Sequence, residues 1–228
     1  MPSSVITIDG PAASGKSTTA KAVAVRLGLA HLDSGSLYRC ITLAALEQRS
    51  PIEGATLARL AEEKKIELHW TGEHYTPMLA GRDVSEEIRG AAVTRSVSDV
   101  AALPEVREWV NAAVRASAAQ HPKGVVVDGR DIGTVVFPGA ALKVFLVADS
   151  RERARRRVLQ EGLATDEENL SRTSVELDSR DRADSSRIHS PLMPHPDAVQ
   201  IDTTNLTFDE QVDRVVDLAR ESLQKKGS

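Results

Sequence analysis

Within the first fifty residues, the same pattern occurs twice: a short apolar run is followed by a longer segment in which apolar residues recur with helical spacing. The β-branched run Val5–Ile8 predicts a buried strand, and residues 16–27 predict a helix that ends before Gly28. A second apolar run at residues 30–33 precedes another helical pattern through residues 43–46. The chain therefore begins with two strand–helix units in succession.

From residue 66 the period of the pattern changes from helical to alternating. Residues 66–70, 75–80 and 84–88 alternate apolar and polar side chains, which is typical of half-buried strands. The segments between them, residues 71–74 and 81–83, contain glycine and are typical of turns. We therefore predict a small antiparallel insert in the middle of the chain.

Helical spacing returns at about residue 91 and continues to about residue 119. Pro104 lies where a second helix is expected to begin, because proline is well tolerated in the first turn. Val106, Val110 and Val114 form a stripe along one face of that helix. We expect this stripe to pack against the core.

Three further apolar runs predict strands, and the last segment predicts a helix. Residues 124–128 hold three consecutive valines and so have no polar face, as in a strand covered on both sides. Residues 142–147 form a similar run and residues 198–201 a weaker one, while Thr207 and Glu210 form a capping box before the final helix. The alternation of strands with helices predicts an α/β fold whose parallel sheet is flanked by helices.

Composition narrows the classes of protein that the chain fits. Its 228 residues, 41% of them apolar, suffice for one large α/β domain. A net charge of -4 and an aromatic content of 3% argue against a nucleic-acid polymer as a partner. No run approaches the length of a membrane span, and the first residues lack a leader pattern. We expect a cytoplasmic monomer without a membrane partner, with its single cysteine, Cys40, in the core.

Residues 10–17 read Gly-Pro-Ala-Ala-Ser-Gly-Lys-Ser, which is the spacing of a phosphate-binding loop between a strand and a helix. Small residues let the backbone approach a polyphosphate, and the helix presents its positive end there. We expect Lys16 to reach the β- and γ-phosphates and Ser17 to bind Mg²⁺. A glycine-rich turn with an exposed lysine is the alternative. The residues predicted to bind the phosphates are Gly10, Pro11, Ala12, Ala13, Ser14, Gly15, Lys16, Ser17 and Thr18.

Two carboxylates flank an arginine directly after the buried strand at residues 124–128. Asp128, Arg130 and Asp131 are therefore expected at the carboxyl edge of the sheet, beside the phosphate-binding loop, where open α/β folds bind their ligands. This arrangement suits a charged ligand. A turn with a local ion pair remains the alternative.

Residues 151–187 contain nine arginines, no lysine and nine carboxylates. Arginine without lysine indicates planar, bidentate contacts with phosphate or carboxylate. Arg153 and Arg157 share one helical face, with Arg156 alongside, and could close over a phosphate as a group. A solvated, salt-bridged helix is also consistent with the pattern. A second group of charged residues follows, spaced about one helical turn apart, and their side chains are predicted to converge on a ligand. It consists of Arg180, Asp184 and Arg187.

Six segments, in order along nearly the whole chain, resemble the bacterial-type cytidylate kinases, which are ATP-dependent nucleoside monophosphate kinases. The middle segment at 83–89 and the segment at 128–138 are far more specific than the phosphate-binding loop. The matching segments are DGPAASGKST at 9–18, LDSGSLYR at 32–39, DVSEEIR at 83–89, LPEVR at 103–107, DGRDIGTVVFP at 128–138, and RDRADSSR with SPL at 180–192.

The resemblance implies an architecture of three parts within a single domain, residues 1–228, of the P-loop NTPase fold. The core would comprise residues 1–64 and 90–228. An antiparallel insert at about 65–89 would bind the nucleoside monophosphate, and a mobile lid would lie within about 151–187.

The resemblance also implies roles for single residues. Arg39 and Arg130 would hold the acceptor phosphate, and Arg180 and Asp184 would lie near the ribose. The residues implied to contact cytosine are Ser98, Arg107, Asp131 and Arg187, with Ser34 close by. The residues implied to be catalytic are Lys16, Arg130, Arg153 and Arg157, with the last two closing on the ATP phosphates.

The implied reaction is transfer of the ATP γ-phosphoryl group, with Mg²⁺, to CMP or dCMP. A kinase for thymidylate, adenylate or shikimate is disfavoured by the sequence of the insert, and a GTP-dependent switch would need an Asn-Lys-x-Asp motif that the chain lacks. A nucleotide-binding module without catalysis would leave the converging arginines unexplained. Val114 departs from the family, in which several relatives carry glutamine before an arginine, here Arg115. The preference between CMP and dCMP and the use of UMP stay open.

Overall fold

The computed structural model describes residues 4–226 and contains two β-sheets. The larger is a five-stranded parallel sheet with the strand order β2-β6-β1-β7-β8, flanked by helices, as the sequence predicts. Its strands are β1 (Val5–Asp9), β2 (Ala30–Asp33), β6 (Val125–Gly129), β7 (Leu142–Val147) and β8 (Val199–Asp202). The smaller is an antiparallel sheet of β3 (Glu67–Trp70), β4 (Tyr75–Leu79) and β5 (Arg82–Asp83).

Helices occupy most of the remaining described chain. The α-helices are α1 (Lys16–Leu27), α2 (Ser34–Gln48), α3 (Gly54–Glu63), α4 (Ala91–Ala102), α5 (Pro104–Ala119), α6 (Ser150–Gln160), α7 (Glu167–Ser185) and α8 (Phe208–Lys226). A 3-10 turn at Glu87–Arg89 and a π-helical turn at Ile132–Val136 complete the set. Among the residues described here, no helix is both long and apolar enough to cross a membrane.

The chain divides into two compact units, of which the first comprises residues 30–125 and the second residues 4–29 and 126–226. In the second unit β1 pairs with β7 so that Ile8 lies opposite Val144. Alternate residues of the strands pack against α1 and α8, which contact each other. The buried residues of this core are Ile6, Ile8, Ala20, Val23, Ala24, Val126, Leu142, Val144, Leu146, Ile201, Val212, Val215, Val216 and Ala219. The parallel strands of this core end at one edge, where the phosphate-binding loop begins.

The first unit is built around α2. The Asp33 carboxylate caps this helix by accepting the Gly35 N–H at 2.9 Å. Helix α2 packs against α3, α4 and α5 and against β4 of the small sheet. Helix α3 was not predicted from the sequence, although its buried Leu57 and Leu60 have helical spacing.

The prediction of a third strand at residues 84–88 is wrong. The strand is β5 (Arg82–Asp83), within the segment predicted as a turn, and a 3-10 turn follows it. Val84 and Ile88 are both fully buried and the Ile88 N–H donates to the Val84 carbonyl at 3.0 Å. A spacing of four puts two apolar residues on one face of a helical turn and also on one face of a strand, so the backbone hydrogen bond, and not the spacing, decides between them.

The predicted division into a core, an insert at about 65–89 and a lid within about 151–187 stays a prediction. Residues 1–3 and 227–228 of the predicted single domain lie outside the described residues. Val114 is 1% exposed on α5, so it belongs to the core stripe that the sequence predicts.

The turn between β4 and β5 generates a test of backbone strain. Ala80 and Gly81 both have positive φ, 51° and 78°, as the two central residues of a tight hairpin turn require. Alanine is disfavoured in the left-handed region, so Ala80→Gly should lower the free energy of unfolding by less than a glycine substitution usually does, or even raise it. Gly81→Ala places alanine in that region and should lower the free energy of unfolding by roughly 1 kcal/mol.

Urea unfolding of both variants checks this expectation. A Cβ at Gly81 would meet nothing within 4 Å, so a loss of stability there reports on φ alone. Equal destabilisation by the two substitutions would contradict the assignment of strain to this turn.

Candidate active site

The phosphate-binding loop connects β1 to α1, as its motif predicts. Gly10 has a φ of 154°, and a Cβ on it would lie 2.3 Å from the Leu146 carbonyl oxygen of β7. Only glycine fits so close to a neighbouring strand. Ala13 and Gly15 also have positive φ, 58° and 85°, so the backbone changes direction sharply before α1.

Lys16 and Ser17 begin α1 and are both engaged with neighbouring oxygens. The Lys16 ammonium donates to the Pro11 carbonyl at 3.0 Å, and the residue is largely buried. The Ser17 hydroxyl donates to the carboxylate of Asp128 in β6. Asp128 is therefore beside the loop at the carboxyl edge of the sheet, where the sequence analysis expected it. A hydroxyl and a carboxylate oxygen in contact are the kind of hard donors that Mg²⁺ prefers.

Asp9 ties the loop to the segment that follows β6. Its two carboxylate oxygens accept the N–H groups of Ile132 and Gly133 at 2.9 and 2.8 Å. Burial raises the pKa of Asp9 to about 7; the two N–H donors oppose this shift, Asp131 adds to it and Lys16 opposes it. Asp9 was not among the site residues predicted from the sequence. Its position at the end of a central strand, directly before the first glycine, was the available signal.

The buried carboxylate of Asp184 bonds to two of the arginines that were predicted to bind the nucleoside monophosphate. Asp184, near the end of α7, accepts Arg130 Nε at 2.9 Å on one oxygen and the Arg187 guanidinium on the other. Burial alone would raise the pKa of Asp184, but the positive charges of Arg130, Arg187 and Arg180 outweigh it, so that pKa is lowered. The structure thus brings together the residues whose spacing predicted convergence, and it adds Arg130 to them.

Asp131 is 3% exposed and immediately precedes the π-helical turn. Its backbone carbonyl accepts the Val135 N–H at 2.8 Å and the Thr134 hydroxyl at 3.2 Å. The backbone at Asp131 is therefore fixed by the turn that follows it.

The arginines of α6 differ from one another in their contacts. Arg153 is buried, and its guanidinium donates to Asp178, to Asp181 and to the Ala12 carbonyl of the loop. Arg157 is partly exposed and pairs with Glu161 at 2.7 Å. Arg153 therefore contacts the loop backbone, and Arg157 takes part in a local helical pair.

Arg156, which lies alongside Arg153 and Arg157 in the sequence, also reaches the loop region. Its guanidinium donates to the Thr203 carbonyl at 2.6 Å and to the Thr203 hydroxyl at 3.0 Å. A Cβ on Gly15 would lie 3.8 Å from the same guanidinium. Its position one residue before Arg157 gave no signal that would separate the two.

The remaining predicted residues lie in the first unit. Arg39 on α2 donates to the Ile88 carbonyl and to the Thr94 hydroxyl, each at 3.0 Å. Arg107 on α5 is buried, donates to the Ala101 carbonyl at 2.9 Å and lies 5.4 Å from the centre of the Tyr38 ring. Ser34, at the start of α2, is buried, and Ser98 lies half-buried on α4, which packs against α2.

Comparisons with known proteins place the chain beside one family. A family model described as cytidylate kinase matches residues 6–221. The cytidylate kinase of Pelodictyon phaeoclathratiforme is 44% identical over 229 residues, which cover 95% of this chain and 94% of that protein. The cytidylate kinase of Geobacillus kaustophilus is 45% identical over 222 residues, covering 96% of this chain and 97% of the relative.

One solved structure adds a likeness of fold alone. TT1252 from Thermus thermophilus superposes with a TM-score of 0.51 at 18% identity, over 98% of this chain and 99% of that chain. The likeness extends over the whole length of both chains and so agrees with the α/β architecture.

The buried Asp9 carboxyl gives the protein a distinctive pH dependence of stability. The pKa of Asp9 is about 7 in the folded state, against a reference value of 3.8 for an exposed aspartate in the unfolded chain. At pH values between these two, the folded state keeps a proton that the unfolded state has lost. Stability contributed by this group therefore falls as pH rises from about 4 to about 7. Asp9→Asn should remove this contribution.

The measurement is the free energy of unfolding in urea at several pH values across that range. The readout is the slope against pH, since the asparagine amide also changes the two N–H bonds and hence the absolute stability. An identical slope in the native chain and in Asp9→Asn would contradict the assignment.

Proposed function

The chain belongs to the cytidylate kinase family, and we propose that it transfers the γ-phosphoryl group of ATP to the phosphate of CMP or dCMP, giving CDP or dCDP. The observation that carries the proposal is the contact between Ser17 of the phosphate-binding loop and Asp128. It joins the donor loop to the segment that bears Arg130 and Asp131.

The donor is held by the loop, residues 10–18. Lys16 neutralises the β- and γ-phosphates, and backbone N–H groups of the loop and the start of α1 face the same anion. Ser17, supported by Asp128, would hold Mg²⁺, which supplies charge neutralisation of the phosphate oxygens when bound. Arg153 and Arg157 on α6 would meet the donor phosphates when the segment 151–187 closes.

The acceptor is bound by two sets of side chains. Arg39 and Arg130 hold the phosphate, and Asp184 keeps the Arg130 guanidinium in place before the acceptor arrives. Arg180 and Asp184 lie near the ribose. The side chains proposed to contact the base are Ser34, Ser98, Arg107, Asp131 and Arg187.

Catalysis in this proposal is positioning and electrostatics. The acceptor phosphate oxygen is already a nucleophile, so no covalent intermediate forms on the protein. The groups that meet the negative charge spreading over the equatorial oxygens of the transferring group are Lys16, Arg130, Arg153 and Arg157. Closure of the lid excludes water and so prevents hydrolysis of ATP.

We also propose roles for two segments of the chain, together with the oligomeric state and the cellular location of the protein. Residues 65–89 serve as the nucleoside monophosphate insert and residues 151–187 as the lid. The protein acts as a cytoplasmic monomer, without a nucleic-acid polymer or a membrane as a partner.

An ADP-release assay with all common nucleoside monophosphates tests the function. We expect ATP turnover to depend on CMP or dCMP, and Lys16→Ala to reduce it at least a hundredfold while circular dichroism stays unchanged. Turnover that does not depend on any monophosphate would contradict the proposal. Normal turnover by Lys16→Ala would show that the loop does not hold the donor.

Recognition of the base by Asp131 leads to a comparative prediction. A carboxylate accepts hydrogen bonds only, so it pairs with the 4-amine of cytosine but faces an acceptor in uracil. An unsatisfied buried group costs roughly 1–3 kcal/mol, so we expect discrimination against UMP of about tenfold to several hundredfold. Asp131→Ala should therefore lower kcat/KM for CMP far more than for UMP.

Arg130→Ala is the matched control, because the phosphate that Arg130 holds is common to both substrates. It should lower kcat/KM for CMP and UMP by the same factor. If Asp131→Ala also reduced both equally, Asp131 would not be the residue that reads the base.

A further inference from the structure

Both polar groups of one peptide residue in the phosphate-binding loop are bonded to the helices that follow β7. The Ala12 N–H donates to Asp181 of α7 at 2.8 Å. The Ala12 carbonyl accepts Arg153 of α6 at 3.2 Å, and Arg153 also donates to the second oxygen of Asp181. Ala12, Arg153 and Asp181 thus form a closed ring of three interactions, which we call the loop clamp.

Apolar contacts reinforce the loop clamp. Ala12 is 4% exposed and belongs to a buried cluster that the two helices supply, and Ala13 packs against the same cluster. The helix residues in it are Ala154, Val158, Leu170 and Leu177. The loop backbone is therefore seated on the helix pair α6–α7 as well as on the sheet.

The loop clamp acts directly before a strained residue. Ala13 has a φ of 58°, a left-handed conformation that alanine rarely adopts. The bond from Arg153 to the Ala12 carbonyl fixes the peptide plane that leads into Ala13, and the bond to Asp181 fixes the preceding plane. Strained backbone of this kind persists only where its surroundings over-determine it. Without the clamp, the turn at Ala13 and the amides after it would lose this constraint.

We propose that Asp181 is a positioning residue for the donor site, which holds the Ala12 peptide and thereby couples helices α6 and α7 to the phosphate-binding loop. It contacts no substrate. A displacement of the two helices reaches the loop through Ala12, and a bound polyphosphate in turn favours the clamped arrangement. The inference rests on the proposed function only in taking the loop as the ATP site.

Asp178 provides a control that lies one turn away on the same helix. The Asp178 carboxylate accepts one guanidinium nitrogen of Arg153 at 3.1 Å, and the Asp181 carboxylate accepts the other nitrogen. Unlike Asp181, Asp178 makes no bond to the loop. The two aspartates therefore share the arginine and differ in the contact with Ala12. Asp178 is also the more exposed of the two, with 42% of its side chain accessible against 15%.

The experiment is calorimetric titration of the full chain with ATP and Mg²⁺, and separately with CMP. Asp181→Ala should raise the Kd of ATP by about tenfold, because a charge-assisted bond to the loop is lost. Asp178→Ala should change it by less than about twofold, since the Asp178 carboxylate is partly exposed and does not bond to Ala12. The Kd of CMP should change by less than about twofold in Asp181→Ala.

Asp181→Asn gives a second comparison, because its amide oxygen can still accept the Ala12 N–H. We expect it to recover part of the ATP affinity that Asp181→Ala loses, and it carries the comparison if the alanine variant does not fold.

Equal losses of ATP affinity in the two alanine variants would overturn the inference. So would parallel losses for ATP and CMP in Asp181→Ala, which would assign Asp181 to the general stability of α7. These results are distinct from a failure of the proposed function, which would appear as a lack of CMP-dependent turnover in the native chain.

Discussion

The buried carboxylate of Asp9 is the interaction on which the arrangement of the second unit depends. It stands at the end of β1, directly before the phosphate-binding loop, and accepts the N–H groups of Ile132 and Gly133. The chain thereby joins the loop that is proposed to hold the donor to the segment that is proposed to read the acceptor base. The cost is a buried carboxyl group, and this burial raises its pKa to about 7.

The arginines of this chain act in two ways that their sequence positions do not distinguish. Arg153 and Arg156 bond to carbonyl oxygens and side chains of the protein and so hold backbone segments near the loop. Arg130 and Arg187 share the Asp184 carboxylate, which orients their guanidinium groups and lets them lie side by side. Planar, bidentate chemistry suits both uses, so arginine composition alone predicts an ionic cluster and not its partners.

Much of the fold follows from local pattern. Apolar runs predicted β1, β6 and β7, the loop motif predicted the connection to α1, and alternation predicted the small antiparallel sheet. The third strand of that sheet was misplaced because a short apolar pair, Val84 and Ile88, fits a strand and a helical turn equally well in isolation. Helix α3 was missed, although its buried leucines carry a helical stripe.

By itself, the sequence determined the α/β class, the phosphate-binding loop and the groups of residues that converge, because these depend on periodicity, glycine and charge among near neighbours. Only the tertiary structure decided which partner each charged side chain has. The bond from Arg153 to Asp181 joins residues 28 apart, and that from Gly133 to Asp9 joins residues 124 apart. Such pairs, and the pKa of Asp9 that results, depend on burial and on how distant segments meet, which no local pattern encodes.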